Sequence, residues 1–384
     1  MTRFITTHIL TALPLHNLNR DQNGMPKTTI DGDVHRARLS AQSIKRGARV
    51  AFRDRGDSVG SIRTRNAAAE IVKSATDYAS RNGIAVDPKK VAAKAKDLVT
   101  QLVNKDDVET DVQIDDTGKV DTSEASKGSK EKKKKPTILF FSQAEIDTVA
   151  GAIVDSLNGG DEATLDDFIR DSSSPSLDVA AFGRMFAKEQ AVSTLASVAV
   201  SHSVTTHEMN LTSDYFSAVE DGAQEHAGGG HLGMSFYTSG TYYRSFTIDV
   251  DQLARSWSNF GAPSARDELA ALVRSLITAL PRGRTSNSAP NVPPHTVLVE
   301  TQSTRTAYGF EEPVQAGEDG GLADRSAERL AQERKIALKF DGSLFGPAKV
   351  YTRTPEVDFQ AEAADGLADL VEFIVDSVYE GRSA

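Results

Sequence analysis

Cysteine is absent from the 384-residue chain. Its absence excludes a disulfide framework, a thiolate nucleophile, a zinc ribbon and an iron–sulfur cluster, and makes a reducing, cytoplasmic setting the simplest expectation. Long apolar runs are missing as well. No stretch of 18 apolar residues occurs, and Thr6, Thr7 and His8 interrupt the segment from Met1 to Leu15, so neither secretion nor membrane insertion is expected. Net positive charge is lacking too: 44 Lys and Arg face 54 Asp and Glu, a formal net charge of −10. Bulk charge therefore argues against a histone-like coat for polyanions. The apolar fraction of 39% is that of a globular protein with some solvated segments. At roughly 150 residues per domain, two or three structural units are expected.

Periodicity divides the chain. Residues 3 to 10 alternate Phe4, Thr6, His8 and Leu10 against Ile5, Thr7 and Ile9, which predicts a first strand with His8 half-buried in it. Turn formers from Asn17 through Gly24 to Asp31-Gly32-Asp33 show no apolar period and predict a long loop, a length usually reserved for function or disorder. From Ser40 the pattern turns helical. Ile44, Ala48, Ala51 and Phe52 make an apolar stripe, and Lys45, Arg46, Arg49 and Arg53 make a cationic stripe beside it.

Two further helices are expected within 58–103, the second opened by Asp87-Pro88. Residues 104–126 carry eight acids against Lys105 and Lys119, and 127–135 carry six lysines against Glu131, a solvated excursion whose sign reverses midway. Order resumes at Ile138-Leu139-Phe140-Phe141. Ser142 and Glu145 then form a capping box for a helix through Leu157, closed by Gly159-Gly160. Strands are expected at Val198–Thr206, Tyr242–Val250, 296–301 and 348–352, and helices at 264–280, 323–338 and 361–379. A hairpin-like arm falls between the first two strands. A mixed sheet with helices on one side and two large inserts follows, an α+β class.

Charge is unevenly shared. Residues 1–56 hold ten cations against Asp21, Asp31, Asp33 and Asp54, net +6, so the remainder carries −16. A positive pole on an acidic protein fits a nucleic-acid phosphate backbone, with Ser40 and Gln42 as neighbouring hydrogen-bond donors. An ordinary solvated helix face fits the same residues. The run Lys132 to Lys135 suits either a flexible electrostatic funnel for nucleic acid or a solubilising loop. Enzymatic constellations are weak. His202 and His207 fall on opposite faces of the expected strand, His226 and His231 lack accompanying carboxylates, and Gly228-Gly229-Gly230 lacks the context of a phosphate loop. No metal or cofactor is expected. Asp31 and Asp33 read most simply as turn formers.

In order, Leu18-Asn19-Arg20-Asp21, Lys27 and Arg38-Leu39-Ser40-Ala41-Gln42-Ser43-Ile44-Lys45-Arg46 resemble the N-terminal signature of CasC, the backbone subunit family of type I-E CRISPR Cascade. Gly183-Arg184-Met185, Val204-Thr205-Thr206-His207, Phe216-Ser217-Ala218-Val219-Glu220-Asp221, His231-Leu232-Gly233 and Ser239-Gly240-Thr241-Tyr242-Tyr243-Arg244 continue the likeness. The resemblance implies an RNA-recognition-motif-like (ferredoxin-like) palm from 1–57, 182–207 and 241–384. It also implies helical fingers inserted at 58–181 and a thumb at 208–240.

Such subunits polymerise along a CRISPR RNA and present it to target DNA. By this resemblance Arg20, Lys27, Arg38, Ser40, Gln42, Lys45, Arg46 and Arg49 grip the RNA backbone. Met185, Phe216 and Ser217 sit against kinked RNA, and Lys132, Lys133, Lys134 and Lys135 attract target DNA. Implied partners are CRISPR RNA, target DNA, other copies of the chain and the large, small, RNA-capping and RNA-processing subunits of Cascade, with no membrane. Base pairing would read sequence while this chain holds shape, and it would not be an enzyme. Two alternatives stay open: an RNA-cleaving backbone subunit using Asp31 or Asp33, and a self-assembling scaffold without RNA.

Overall fold

A computed structural model describes residues 3–56, 60–103, 137–218, 231–318 and 320–380. The chain opens with strands β1 (Phe4–His16), β2 (Thr28–Asp31) and β3 (Val34–Leu39), then helix α1 (Ala41–Arg53). Next come β4 (Ser61–Thr64), α2 (Ala67–Asn82), α3 (Pro88–Leu102), β5 (Leu139–Ser142), α4 (Gln143–Leu157), α5 (Leu165–Phe168) and α6 (Leu177–Phe182). Four strands follow: β6 (Val198–Val200), β7 (Ser203–Thr205), β8 (Asn210–Ala218) and β9 (His231–Asp249). Helices α7 (Val250–Ser256), α8 (Ala265–Thr278) and α9 (Thr285–Ser288) lead to β10 (Thr296–Gln302) and α10 (Ala323–Asp341). Strands β11 (Phe345–Thr352) and β12 (Glu362–Ala363) and helix α11 (Leu367–Glu380) end the described chain. Two compact units result: one of residues 1–54, 198–250 and 269–384, the other of 55–197 and 251–268.

The first unit is built on a ten-stranded sheet in the order β12-β11-β10-β1-β9-β7-β3-β2, with β6 and β8 also paired to β9. All pairs are antiparallel except β11 with β12. Central strand β1 is covered on both faces, which its sequence expresses as nearly continuous burial rather than clean alternation. On one face Leu10, Leu298, Val350 and Tyr243 pack with Ala327, Leu330 and Ala331 of α10. On the other, buried Arg244 stands opposite Ile9 and donates to the carbonyls of Ile277 (2.6 Å) and Ala279 (2.8 Å) at the end of α8. Helices therefore cover both faces, correcting the one-sided expectation. His8 is likewise fully buried rather than half-buried, because α10 lies over it.

That burial is offset by partners. His8 reaches Tyr243 Oη (2.9 Å) and Glu300 (3.0 Å), and Glu300 also accepts from Arg334 (2.7 Å) and Tyr308 (2.9 Å). Burial pushes the Glu300 carboxyl up, but the His8 hydrogen bond and charge, Arg334 and Tyr308 outweigh it and leave it below the usual carboxylate range. The network ties α10 to the sheet.

In the second unit α2, α3 and α4 bury Ile71, Val72, Leu98, Val149 and Ile153 together. Asp87 caps α3 through Lys89 N–H (2.9 Å), as Asp87-Pro88 predicts. Ser142 and Glu145 make the expected capping box on α4 at 3.1 and 2.8 Å.

The sequence expectations differ elsewhere in instructive ways. The first strand runs on to His16. The segment 17–33 is not structureless, because 28–39 folds as the β2–β3 hairpin, whose turn residues Gly32 and Asp33 both have φ of 60°. A Cβ at Gly32 would overlap the Glu311 carbonyl, so this turn admits only glycine there. The expected strand 198–206 is broken at Ser201-His202 into β6 and β7. The strand expected at 242–250 begins at His231, since it also carries the arm.

His16, at the end of β1, is buried, and its Nδ1 accepts from Leu18 N–H at 3.3 Å. Burial pushes its pKa down to about 4. The unfolded state, titrating at the ordinary value of 6.5, takes the proton first. The contribution is thus present above pH 6.5 and is lost as pH falls toward 4, at up to about 1.4 kcal/mol per pH unit. Urea midpoints across that range should fall steeply for the natural protein and less steeply for His16→Gln.

Candidate nucleic-acid interface

Helix α1 starts without any acid in its first turn, and the hydroxyl of its N-cap residue, Ser40, makes no capping bond. Distant neutral groups serve instead. Asn19 Oδ1 accepts from Ser40 N–H (2.8 Å), and His202 Nδ1 accepts from Ala41 N–H (2.9 Å). These two N–H groups are therefore paired with uncharged acceptors, which leave the positive end of the helix dipole unneutralised.

Cations gather at that end. Lys27 N–H donates to Asn19 O (2.9 Å), and Arg38 N–H donates to Lys27 O (2.8 Å), so one backbone ladder places both side chains beside the cap. The charges of Arg38 and Lys27, after burial, help hold the His202 pKa below its ordinary value, which places all three together. Arg20 adjoins them through its bridge to Pro26 and is exposed. Within the following helix Gln42 and Arg46, four apart, share an exposed face, and Lys45 is half-buried, its ammonium pushed down by desolvation. Among the described residues, Arg20, Lys27, Arg38, Lys45 and Arg46 make no ion pair.

Other predicted positions are placed differently. Ser40 is 7% exposed and Arg49 8%, because the buried arc of α1 is wider than its apolar stripe and takes in Gly47 and Arg49 beside Ile44, Ala48 and Phe52. The four-cation stripe is corrected accordingly: Arg46 and Arg53 are exposed, Lys45 is partly so, and Arg49 faces inward. Arg36, counted in the positive pole, is internal; it donates to the carbonyls of Asp31 (2.9 Å), Thr205 (3.2 Å), Phe310 and Glu311 (2.9 Å). Lys132, Lys133, Lys134 and Lys135 lie outside the described residues.

The apolar positions occupy separate units. In the second unit Gly183 admits no Cβ, which would press on Thr194 and Ala196 backbone atoms. Arg184 is buried against Glu145 at 2.7 Å, and its guanidinium lies over the Phe186 ring. Fixed inward on both sides, the segment leaves Met185 79% exposed. In the first unit Phe216 stands opposite Gly233 on the β8–β9 hairpin and lays its ring where a side chain would otherwise be; it is 42% exposed. Ser217 beside it is exposed, as are Tyr215 and Met234.

Two histidines divide in role. His207 Nε2 accepts from Thr241 N–H (3.1 Å), so Nδ1–H donates to the Glu208 carbonyl (2.7 Å) in a buried strand junction. His202 is the member of the site that strand reasoning missed, since only the break at Ser201-His202 turns it toward α1. Among the described residues, no group of three or more His, Asp or Glu is arranged to hold a metal ion, and no helix is long and apolar enough to cross a membrane. Asp31 precedes the hairpin turn and Asp33 lies in it, with the Asp31 carboxylate 3.9 Å from Arg36.

Capping by remote groups has a measurable signature. Asn19→Ala should cost about 1–2 kcal/mol in urea unfolding by stranding the Ser40 N–H, whereas Ser40→Ala should stay within about 0.5 kcal/mol.

A family model described as CT1975-like protein matches residues 5–372. A chain of a solved structure described as "CRISPR RNA-guided surveillance complex, pre-nicking" is similar at a TM-score of 0.74 and 22% identity, covering 98% of this chain and 100% of that one. A second, described as "CRISPR RNA-guided surveillance complex", gives 0.67 and 20%, covering 97% and 99%. At these identities the likeness is one of fold, a mixed α+β architecture around a large, mostly antiparallel sheet. No curated protein matches the chain. The match along nearly the whole length places this chain in the CT1975-like family of Cas proteins.

Proposed function

We propose that this protein is a CRISPR RNA-binding backbone subunit of a Cascade-type surveillance complex, of the CasC, type I-E kind. Copies polymerise along the guide and present it to target DNA beside the other subunits of the complex. The observation that carries this reading is the group of unneutralised cations around the start of α1: Arg20, Lys27, Arg38, Lys45 and Arg46. A protein of net charge −10 has many carboxylates to spend on them and spends none among the described residues. Such a group suits a partner that brings its own negative charge, and a phosphate backbone brings one per nucleotide.

The topology supports the palm reading. Taken in chain order, β1, α1, β6, β9, α8 and β10 form a β-α-β-β-α-β series, and their strands pair in the order β10-β1-β9-β6. That order suits the ferredoxin-like arrangement proposed for an RNA-recognition-motif-like palm. The second unit would then supply the fingers and the β8–β9 hairpin the thumb. Met185 and Phe216 suit wedges that unstack bases without reading them, since each is an exposed apolar side chain on a fixed backbone. Arg49 would steady α1 from within and Ser40 would contribute mainly its backbone. Lys132 to Lys135 remain the proposed contact for target DNA.

The chain is proposed to be non-catalytic. Asp31 and Asp33 serve the tight β2–β3 turn, which gives both residues a structural reason to be present. Guide–target pairing supplies sequence specificity, so no base-edge code is required of these side chains.

The test is salt dependence. Lys27→Ala combined with Arg38→Ala should weaken binding of single-stranded guide RNA and flatten the slope of log affinity against log salt by about 1.4, at roughly 0.7 per phosphate contact. An unchanged slope would remove this cluster from the backbone grip. A full-length chain that ignores guide RNA in low-salt buffer would overturn the function itself.

A further inference from the structure

We infer that His202 is an uncharged phosphate-binding residue, donating its Nε2–H to a backbone oxygen of the nucleic acid held between Lys27 and Arg38. This rests on the RNA-holding function proposed above and adds to it a residue that neither strand periodicity nor the basic pattern identifies.

Ring chemistry fixes the proton. Nδ1 accepts from Ala41 N–H at 2.9 Å, so it cannot carry a hydrogen while that bond stands. A neutral imidazole then bears its proton on Nε2 and can only donate there. Among the described residues Nε2 has no protein partner, and the residue is exposed. The ring is therefore occupied on its inner edge and vacant on its outer one.

Position is fixed just as firmly. Ser201 clamps the break between β6 and β7: its N–H donates to Ser245 O (2.9 Å), its hydroxyl accepts from Ser245 N–H (2.8 Å) and donates to His202 O (2.9 Å). A donor on so constrained a backbone loses little freedom when it binds. Electrostatics keep it neutral. Burial, Arg38 and Lys27 all disfavour imidazolium, in that order.

The arrangement extends the helix start outward. Ala41 N–H polarises the ring from one side, and the ring offers a polarised N–H on the other, so the positive end of α1 acts through the imidazole. Lys27 and Arg38 supply charge, and His202 supplies direction. A phosphate oxygen matches that combination, because it accepts several hydrogen bonds and carries the charge the two cations leave unanswered.

Full-length protein is titrated with an unstructured single-stranded RNA oligonucleotide over a series of salt concentrations. His202→Ala should bind roughly tenfold more weakly with an unchanged salt slope, His202→Gln should recover most of the loss, and Lys27→Ala should flatten the slope by about 0.7. Equal affinity for natural protein and His202→Ala overturns the inference while leaving the RNA function standing. A slope lowered by a full contact in His202→Ala also overturns it, because the residue would then act as a cation. Failure of the natural protein to bind overturns both. Should His202→Ala melt at a lower temperature, the ring nitrogens of 15N-histidine-labelled natural protein decide: the Nε2–H tautomer, shifting on addition of RNA, is expected, and a resonance unmoved by RNA refutes the role.

Discussion

An uncompensated positive end on one helix governs the organisation of the first unit. A helix start attracts carboxylates, both through its dipole and through its open N–H groups, and most helices answer with Asp, Glu or a capping hydroxyl. Helix α1 does not. The N–H groups of its N-cap residue, Ser40, and first helical residue, Ala41, go to Asn19 and His202, two neutral acceptors brought from 21 and 161 residues away along the chain. The loop after β1 and the break before β7 exist in their observed form to deliver them. The neutral caps leave that end positive, Lys27 and Arg38 add to its field without an ion pair among the described residues, and the resulting repulsion is tolerable only in water or against an anion.

Where positive charge is structural, the chain treats it quite differently. Arg36, Arg244 and Arg334 are buried, and their guanidinium groups are spent on backbone carbonyls and, for Arg334, on Glu300. Arg184 is spent on Glu145 and the Ser173 carbonyl. Removing any of these would leave buried acceptors stranded, a loss of folding and not of binding. The division between spent and unspent arginines is thus a sorting of one residue type into two jobs, and burial alone does not make it; the supply of nearby oxygens does.

Much of this was legible in the residues. Caps written locally, such as Asp87-Pro88 and Ser142 with Glu145, are found where their spacing puts them, because capping chemistry spans only three residues. The cationic pole and the hairpin arm also follow from composition and alternation. Long-range effects were not legible. Nothing near Arg49 in the chain says that the buried arc of α1 extends past its apolar stripe. Nothing in Val198–Thr206 announces the interruption at His202, since Ser201 is clamped by Ser245, 44 residues away. Strand β2 was hidden because its side chains are mostly exposed and Gly32-Asp33 reads as loop until a partner strand is known. Covering of the second sheet face by α10 depends on His8, Glu300 and Arg334 meeting from three distant segments.

Strand β9 carries a mechanical implication. Its 19 residues, about 60 Å of extended chain, pair with β8 at one end and with β1, β6 and β7 at the other. The arm therefore continues a strand from the middle of the sheet, and the register between β1 and β9 shifts where the two meet, between Leu13 opposite Gly240 and His16 opposite Thr238. Gly240, with φ of 154°, stands at that junction like a wrist between forearm and palm, so a load on Phe216 would bend the strand there before it reached the pairs around His8 and Arg244.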